Sequence, residues 1–188
     1  MSDSFDSETP FFRALSTKYD ADREQEAIEI LNANPEIALL QWPGPDEGGR
    51  PHIKGATLLH YAANDGKLKL MARLVQLGSD VNASNANWYR SVLSWAANNA
   101  RVDAIAWLLE NGANPKSLDA LHAAAWGGSS CGEDESDDYP GAIEMLVAAG
   151  ADLNPDLGGD YKSTPLTVAI ESGNERSRAA IERLGGRQ

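Results

Sequence analysis

The segment Thr57-Leu-Leu-His-Tyr-Ala-Ala-Asn-Asp-Gly66 indicates the class of fold, because the chain repeats it. It returns as Ser91-Val-Leu-Ser-Trp-Ala-Ala-Asn-Asn-Ala100 and, more loosely, in residues 119–128 and 164–173. A unit that recurs every 20 to 50 residues or so is typical of stacked repeat architectures. We therefore expect several similar units in a row.

Each copy is followed by a second apolar run with helical spacing. These runs cover residues 68–77, 102–109, 142–149 and, in a more polar form, 175–184, and each ends at or near a glycine. Glycine just past a helix is a common left-handed stop. The predicted unit is helix, turn, helix, loop. One unit cannot bury its apolar face alone, so the units must stack.

The segments Gly55-Ala-Thr-Leu-Leu-His-Tyr-Ala-Ala63 and Leu108-Leu-Glu-Asn-Gly-Ala113 resemble the ankyrin repeat. The resemblance recurs in order over residues 55–185. It implies an all-α, ankyrin-like solenoid of about four to five helix-turn-helix units with loop or hairpin fingers. The first of these is a degenerate unit, with residues 9–15 as its first helix and residues 23–31 as its second.

The expected organisation is a flexible N-terminus at residues 1–8 and one repeat domain at residues 9–188. We place the units at approximately 9–40, 55–82, 89–115, 118–154 and 163–188. The last unit is predicted to be a C-terminal cap, because Arg176, Ser177 and Arg178 replace apolar residues on its outer helix.

The spacing of equivalent leucines predicts an insertion. Leu59 and Leu93 are 34 residues apart, whereas Leu121 and Leu166 are 45 apart. The extra residues fall at 129–139, between the two helices of one unit. The linker at 41–52 is also long and rich in proline and glycine, which is typical of a surface loop.

Composition narrows the classes of partner and compartment. The 188 residues carry 16 Lys and Arg against 28 Asp and Glu, a formal charge of −12. Such a chain is repelled by nucleic acid and anionic membranes and favours a protein with a basic surface. The single cysteine, Cys131, and the lack of a secretory signal or membrane-spanning run predict a cytoplasmic protein.

Acidity is concentrated in one part of the chain. Residues 117–161 contain no Lys or Arg and ten carboxylates, which leaves −2 of the −12 for all other residues. Five of the ten lie within 133–138, in a pattern that does not fit the twelve-residue calcium loop. This segment is either a solvated acidic loop or an electrostatic hook for a basic partner.

Catalytic and metal chemistry have little support in the sequence. His60 and His122 occupy the same place in their repeats, and the resemblance implies a hydrogen-bonding role for them between loops. Neither these residues nor His52 has the partners that a metal site or a general base would need. We expect no cofactor, no metal and no enzyme activity.

Two further groups of residues are candidates for partner contact. One is a set of large side chains in the loops before units, where the alternative is that they fold back over the helices. The other consists of the residues that follow the alanine pairs at the ends of the first helices. The residues that precede these alanines, Tyr61, Trp95 and Val168, are expected to pack inward. With the acidic segment, the candidate partner-binding residues are Trp42, His52, Trp88, Tyr89, Arg90, Asn98, Asn99, Trp126, Glu133, Asp134, Glu135, Asp137, Asp138, Tyr161 and Lys162.

The functional expectation is a non-enzymatic protein-binding module, monomeric or in a one-to-one complex. Ankyrin-like proteins of this size include bacterial immunity proteins, so the resemblance favours a cytoplasmic inhibitor that neutralises a basic toxin or effector. The alternative is an accessory or scaffold subunit that binds an enzyme without inhibiting it. An enzyme with an unrecognised site is a remote third possibility, since fold alone does not define function.

Overall fold

A computed structural model describes residues 21–42, 54–85, 91–127, 137–155 and 163–188. Within these ranges there are nine α-helices, one 3-10 helix and no strand beyond two isolated antiparallel bridges. The α-helices are α1 Ala21–Ala33, α2 Leu58–Asn64, α3 Leu68–Gln76, α4 Val92–Asn98, α5 Val102–Glu110, α6 Leu118–Trp126, α7 Tyr139–Ala148, α8 Pro165–Ser172 and α9 Glu175–Arg183. The 3-10 helix is Pro35–Leu39. None of the described helices is long and apolar enough to cross a bilayer.

The helices form two parallel rows, as stacked two-helix units require. The first helices of the units, α2, α4, α6 and α8, each pack against the next. The second helices, α1, α3, α5, α7 and α9, form the other row in the same way. This arrangement confirms the all-α repeat solenoid.

The core lies between the rows and is built from the same repeat positions in each unit. Leu59, Leu93 and Leu121 of the first helices are no more than 1% exposed. The alanine pairs beside them are buried as well, so the short methyl side chains allow the first helices to approach closely. Truncating one of these leucines to alanine should cost about 2–5 kcal/mol.

Helix α1 places Ala27 and Leu31 in the core, and its polar side chains join it to the next helix of its row. The Glu24 carboxylate accepts a hydrogen bond from the Leu70 backbone N–H at 3.0 Å, and Arg73 Nε donates to Asn32 Oδ1 at 2.7 Å. The helix covers the stretch predicted as the second helix of a degenerate first unit. Its predicted partner at residues 9–15 lies outside the described residues, so the fifth unit stays a prediction.

The prediction that Ser177 lies on a polar outer face of the last helix is wrong. This residue is fully buried, and its Oγ donates to the Ala124 carbonyl at 3.1 Å. A serine suits this place because it is small and satisfies a carbonyl of the neighbouring unit. Arg178, in contrast, pairs with Glu182 and Glu175, whose hydrogen bonds and charges raise its pKa above the ordinary value.

The turn between the two helices of a unit needs a left-handed residue, and one unit lacks glycine there. Gly66 and Gly173 have φ of 70° and 73°, whereas the equivalent Ala100 has φ of 47°. Left-handed geometry is strained for alanine. We expect Ala100→Gly to raise the free energy of unfolding by about 1 kcal/mol, measured by urea denaturation.

Gly173→Ala is the matched control for that prediction. A Cβ at Gly173 meets nothing within 4 Å, so the substitution tests backbone strain without a clash. It should lower the free energy of unfolding by about 1 kcal/mol. Two substitutions that moved stability in the same direction would contradict the strain argument.

Candidate protein-binding surface

The C-terminal ends of the first helices lie side by side and form one row of mostly polar residues. We call this row the first-helix strip. Asn64, Asn98, Trp126 and Glu171 occupy one repeat position, and Asp65, Asn99, Gly127 and Ser172 occupy the next. Glu171 is exposed, Gly127 is buried and the others are half-buried. Such residues can reach a partner while the helices hold them in place.

Hydrogen bonds between units hold the near end of the strip in order. The Asn99 side-chain amide donates to Asn64 Oδ1 at 2.7 Å and to the Trp95 carbonyl at 3.3 Å. Asn64 Nδ2 in turn donates to Asp65 Oδ1 at 2.9 Å. The bond from Asn99 joins its unit to the preceding unit. These amides are therefore already ordered in the free protein, without a bound partner.

Tyr139, which was not among the candidates from the sequence, contacts the centre of the strip. Tyr139 is 4% exposed, and its hydroxyl donates to the Asn98 carbonyl at 3.2 Å. Its ring lies where a Cβ on Gly127 would be, so it occupies space that a side chain at position 127 would fill. The signal in the sequence was Gly127 itself, the one strip position without a side chain.

The end of the predicted insertion is part of a helix. The insertion was predicted to include Asp138 and Tyr139, but α7 begins at Tyr139 and Asp138 is its N-cap. The Asp138 carboxylate is exposed and accepts a hydrogen bond from the Gly141 N–H at 2.9 Å. Capping satisfies an otherwise unpaired N–H at the start of the helix, so this carboxylate has a structural role.

Three other carboxylates of the acidic region have partners within the chain. Asp119 is 2% exposed and accepts hydrogen bonds from the Ser91 N–H, at 2.7 Å, and from the Ser117 hydroxyl. Asp137 lies 3.9 Å from Arg101, and Glu144 pairs with Arg183. Both arginines come from outside residues 117–161, so the surface field of this region is weaker than the count of ten carboxylates suggests.

Trp42 is a core residue, and its placement on a contact surface is wrong. It is 1% exposed, and its backbone exchanges hydrogen bonds with Ala56 and Gly55 at 2.8 and 2.7 Å. Its side chain belongs to the core cluster that also holds Leu31 and Leu58. The size of an aromatic residue in a loop therefore did not indicate whether it faces a partner or the core.

Nine of the other candidates lie outside the described residues. All of them come from the loops before units or from the acidic segment: His52, Trp88, Tyr89, Arg90, Glu133, Asp134, Glu135, Tyr161 and Lys162. Their role in binding stays a prediction. The described candidates that come together are Asn98, Asn99 and Trp126. Asp137 is connected to them indirectly, by its contact with Arg101 and by its place two residues before Tyr139.

The residues just before the strip form an aromatic layer under it. Trp95 is 9% exposed, and its ring meets Tyr61 and His60 edge to face at centroid distances of 5.0 and 5.3 Å. His60 Nδ1 accepts from the Thr57 N–H at 3.1 Å, and His122 Nε2 lies 2.7 Å from the Ser163 carbonyl. Both imidazoles therefore have a structural role. In the described ranges no three His, Cys, Asp or Glu residues are grouped to hold a metal.

Comparison with known proteins agrees with this geometry. The family described as Ankyrin repeats (3 copies) matches residues 26–119 and 59–155. A similar mouse protein, B-cell lymphoma 3 protein homolog from Mus musculus, is 32% identical over 137 residues. That alignment covers 72% of this chain and 28% of the mouse protein, so the chain spans little more than a quarter of its relative.

The chain belongs to the ankyrin-repeat family. Ankyrin repeats indicate a module for protein–protein interaction, and the strip described above is a surface of the kind such a module needs.

Proposed function

We propose that this protein is a cytoplasmic inhibitor that binds a partner with a basic surface and neutralises it, as an immunity protein neutralises its toxin. The observation that carries the proposal is the first-helix strip, in which half-buried amides of neighbouring units are already ordered by hydrogen bonds. Ordered side chains lose little conformational freedom on binding, so their contacts contribute more fully to affinity.

Trp126 is the strip residue best suited to anchor a partner. It is half-buried at the end of α6, one repeat beyond Asn98. Tryptophan in the centre of an interface, held by its surroundings and partly accessible, is a frequent source of binding energy. The polar amides beside it would set the orientation of the partner.

The charge of the whole chain supports a basic partner. The formal charge is −12, and exposed carboxylates lie on several elements, including Asp103 and Glu110 on α5 and Glu171 on α8. Since Asp119, Asp137 and Glu144 are engaged internally, attraction comes from the overall charge as well as from the acidic segment. Such a field raises the association rate of a basic protein.

A capture experiment tests this proposal and separates it from its alternatives. The tagged protein is incubated with extract of its host at low and high salt, and each retained protein is assayed with and without this chain. A basic enzyme or toxin that loses activity on one-to-one binding supports the inhibitor. A retained enzyme of unchanged activity indicates an accessory or scaffold subunit. If no protein is retained, the chain itself is assayed for catalysis.

The role of the strip is tested on the captured partner. Trp126→Ala should raise the dissociation rate by about 30-fold, the effect of losing a typical hot spot. Trp107→Ala is the matched control, because Trp107 is also half-buried but lies on α5 in the row of second helices. The association rate of the unaltered chain should fall as salt screens the charges. Equal effects of the two substitutions would remove the strip from the interface.

A further inference from the structure

Asn64 and Asn98 occupy the same position in consecutive units, yet their side chains are in different situations. Asn64 Oδ1 accepts a hydrogen bond from Asn99 Nδ2 at 2.7 Å. Asn98 Oδ1 is buried and has no hydrogen-bond partner in the part of the chain that the structure describes. Buried polar atoms are nearly always paired, because an unpaired one loses its bond to water without a replacement.

The cause of this difference lies in the next unit. Gly127 occupies the repeat position that is equivalent to Asn99, and it has no side chain to donate to Asn98. The space is filled by Tyr139, whose hydroxyl donates to the backbone carbonyl of Asn98 and leaves its side-chain oxygen unpaired. Asn98 therefore occupies the same repeat position as Asn64 but lacks a side-chain donor equivalent to Asn99.

The surroundings of Asn98 are suited to a positively charged donor. Two contacts connect Asp137 with this place: the Tyr139 hydroxyl, two residues after Asp137, donates to the Asn98 carbonyl, and Asp137 Oδ1 lies 3.9 Å from Nη1 of Arg101, three residues after Asn98. The Asp137–Arg101 pair is loose at 3.9 Å, and the Asp137 side chain is 27% exposed. Arg101 Nε is directed to the Asn64 carbonyl at 3.3 Å. Trp126 adds an aromatic side chain at the equivalent position of the next unit.

We propose that Asn98 and Asp137 form the contact site for a lysine or arginine side chain of the partner protein. The Asn98 side chain as a whole is half-buried, so rotation of its terminal amide presents Oδ1 to a donor that arrives from solvent. A cationic N–H group satisfies that oxygen and gains the Asp137 carboxylate as a counter-charge. This inference rests on the proposed function, because it names the partner group that the strip recognises.

The first test compares Asn98→Leu with Asn64→Leu in thermal melts. Both changes put the same residue at the end of a first helix, so differences in helix propensity cancel. Asn98→Leu removes an unpaired acceptor and should raise the melting temperature by about 2 °C, whereas Asn64→Leu breaks the bond from Asn99 and should lower it by about 2 °C. Equal melting temperatures would overturn the claim that Asn98 is unpaired.

The second test uses N-acetyl-arginine amide as a probe, with N-acetyl-glycine amide as the neutral control. In two-dimensional NMR of the full chain, the arginine probe should shift the side-chain resonances of Asn98 and Trp126. Its apparent affinity should fall roughly tenfold in Asn98→Leu and also in Asp137→Asn, but not in Asn64→Leu. Shifts centred elsewhere, or an equal response to the glycine probe, would overturn the site.

These probe experiments do not depend on the capture of a partner. If the arginine probe binds at Asn98 but no inhibited protein is found, the inhibitor proposal fails and the site stands. If a captured partner binds Asn98→Leu as tightly as the unaltered chain, the site fails and the inhibitor proposal stands.

Discussion

Replacement of Tyr139 by alanine is expected to lower the free energy of unfolding by about 3–5 kcal/mol, the range found when a buried aromatic side chain is removed. The ring is 4% exposed and lies against Gly127, so its loss leaves a cavity between the third and fourth units. The substitution also removes the hydrogen bond to the Asn98 carbonyl. Urea denaturation followed by circular dichroism measures the change.

Two further variants separate the contributions at Tyr139. Tyr139→Phe keeps the ring and loses only the hydroxyl, so it should cost about 1 kcal/mol. Gly127→Ala introduces a Cβ into the space of the ring and should also destabilise the chain, because the ring must move. If Tyr139→Ala cost no more than Tyr139→Phe, the ring would not be a packing element of this junction.

Replacement of Asp119 by alanine is expected to lower the free energy of unfolding by about 3 kcal/mol, because hydrogen bonds to a buried charged group are among the strongest. Its carboxylate accepts a hydrogen bond from the backbone N–H of Ser91, 28 residues away, and so joins the third unit to the fourth. After the substitution this N–H loses its acceptor at a half-buried place. The same denaturation experiment measures the loss.

Asp103→Ala is the control for Asp119. Asp103 is also an aspartate in the first turn of a helix, but it is exposed on α5. Its replacement should change the free energy of unfolding by no more than about 0.5 kcal/mol. The two variants should also differ in function, since loss of Asp119 affects folding, whereas loss of the surface charge of Asp103 affects only the association rate. Equal losses of stability would contradict the structural role of Asp119.

The repeat pattern was sufficient to predict the helices of the central units. Leucines at one position and alanine pairs three residues later have a single physical solution, in which the first helices pack closely and the second helices cover them. Burial of Leu59, Leu93 and Leu121 follows directly from this pattern. Asn98, Asn99 and Trp126 could be placed together for the same reason, because they share a repeat position or adjoin one.

Where residues depart from the repeat pattern, the sequence did not indicate whether their side chains are buried or exposed. Ser177 looked like a solvent-facing residue, but it bonds to the Ala124 carbonyl of the preceding unit. Trp42 looked like a surface anchor and lies in the core. In both cases the side chain is compatible with either environment, and the choice depends on neighbours that are distant in sequence.

The class of fold and the excess of negative charge follow from the amino-acid sequence alone, because periodicity and composition are properties of the chain before it folds. Which charges and amides have partners depends on the packing of the units against each other. Asp119 is bonded to Ser91, Asn64 to Asn99, and Asn98 Oδ1 to no described residue, and each outcome depends on what the adjacent unit presents. Pairing of polar groups is set by distances of about 3 Å between atoms, and such distances exist only once the units are stacked.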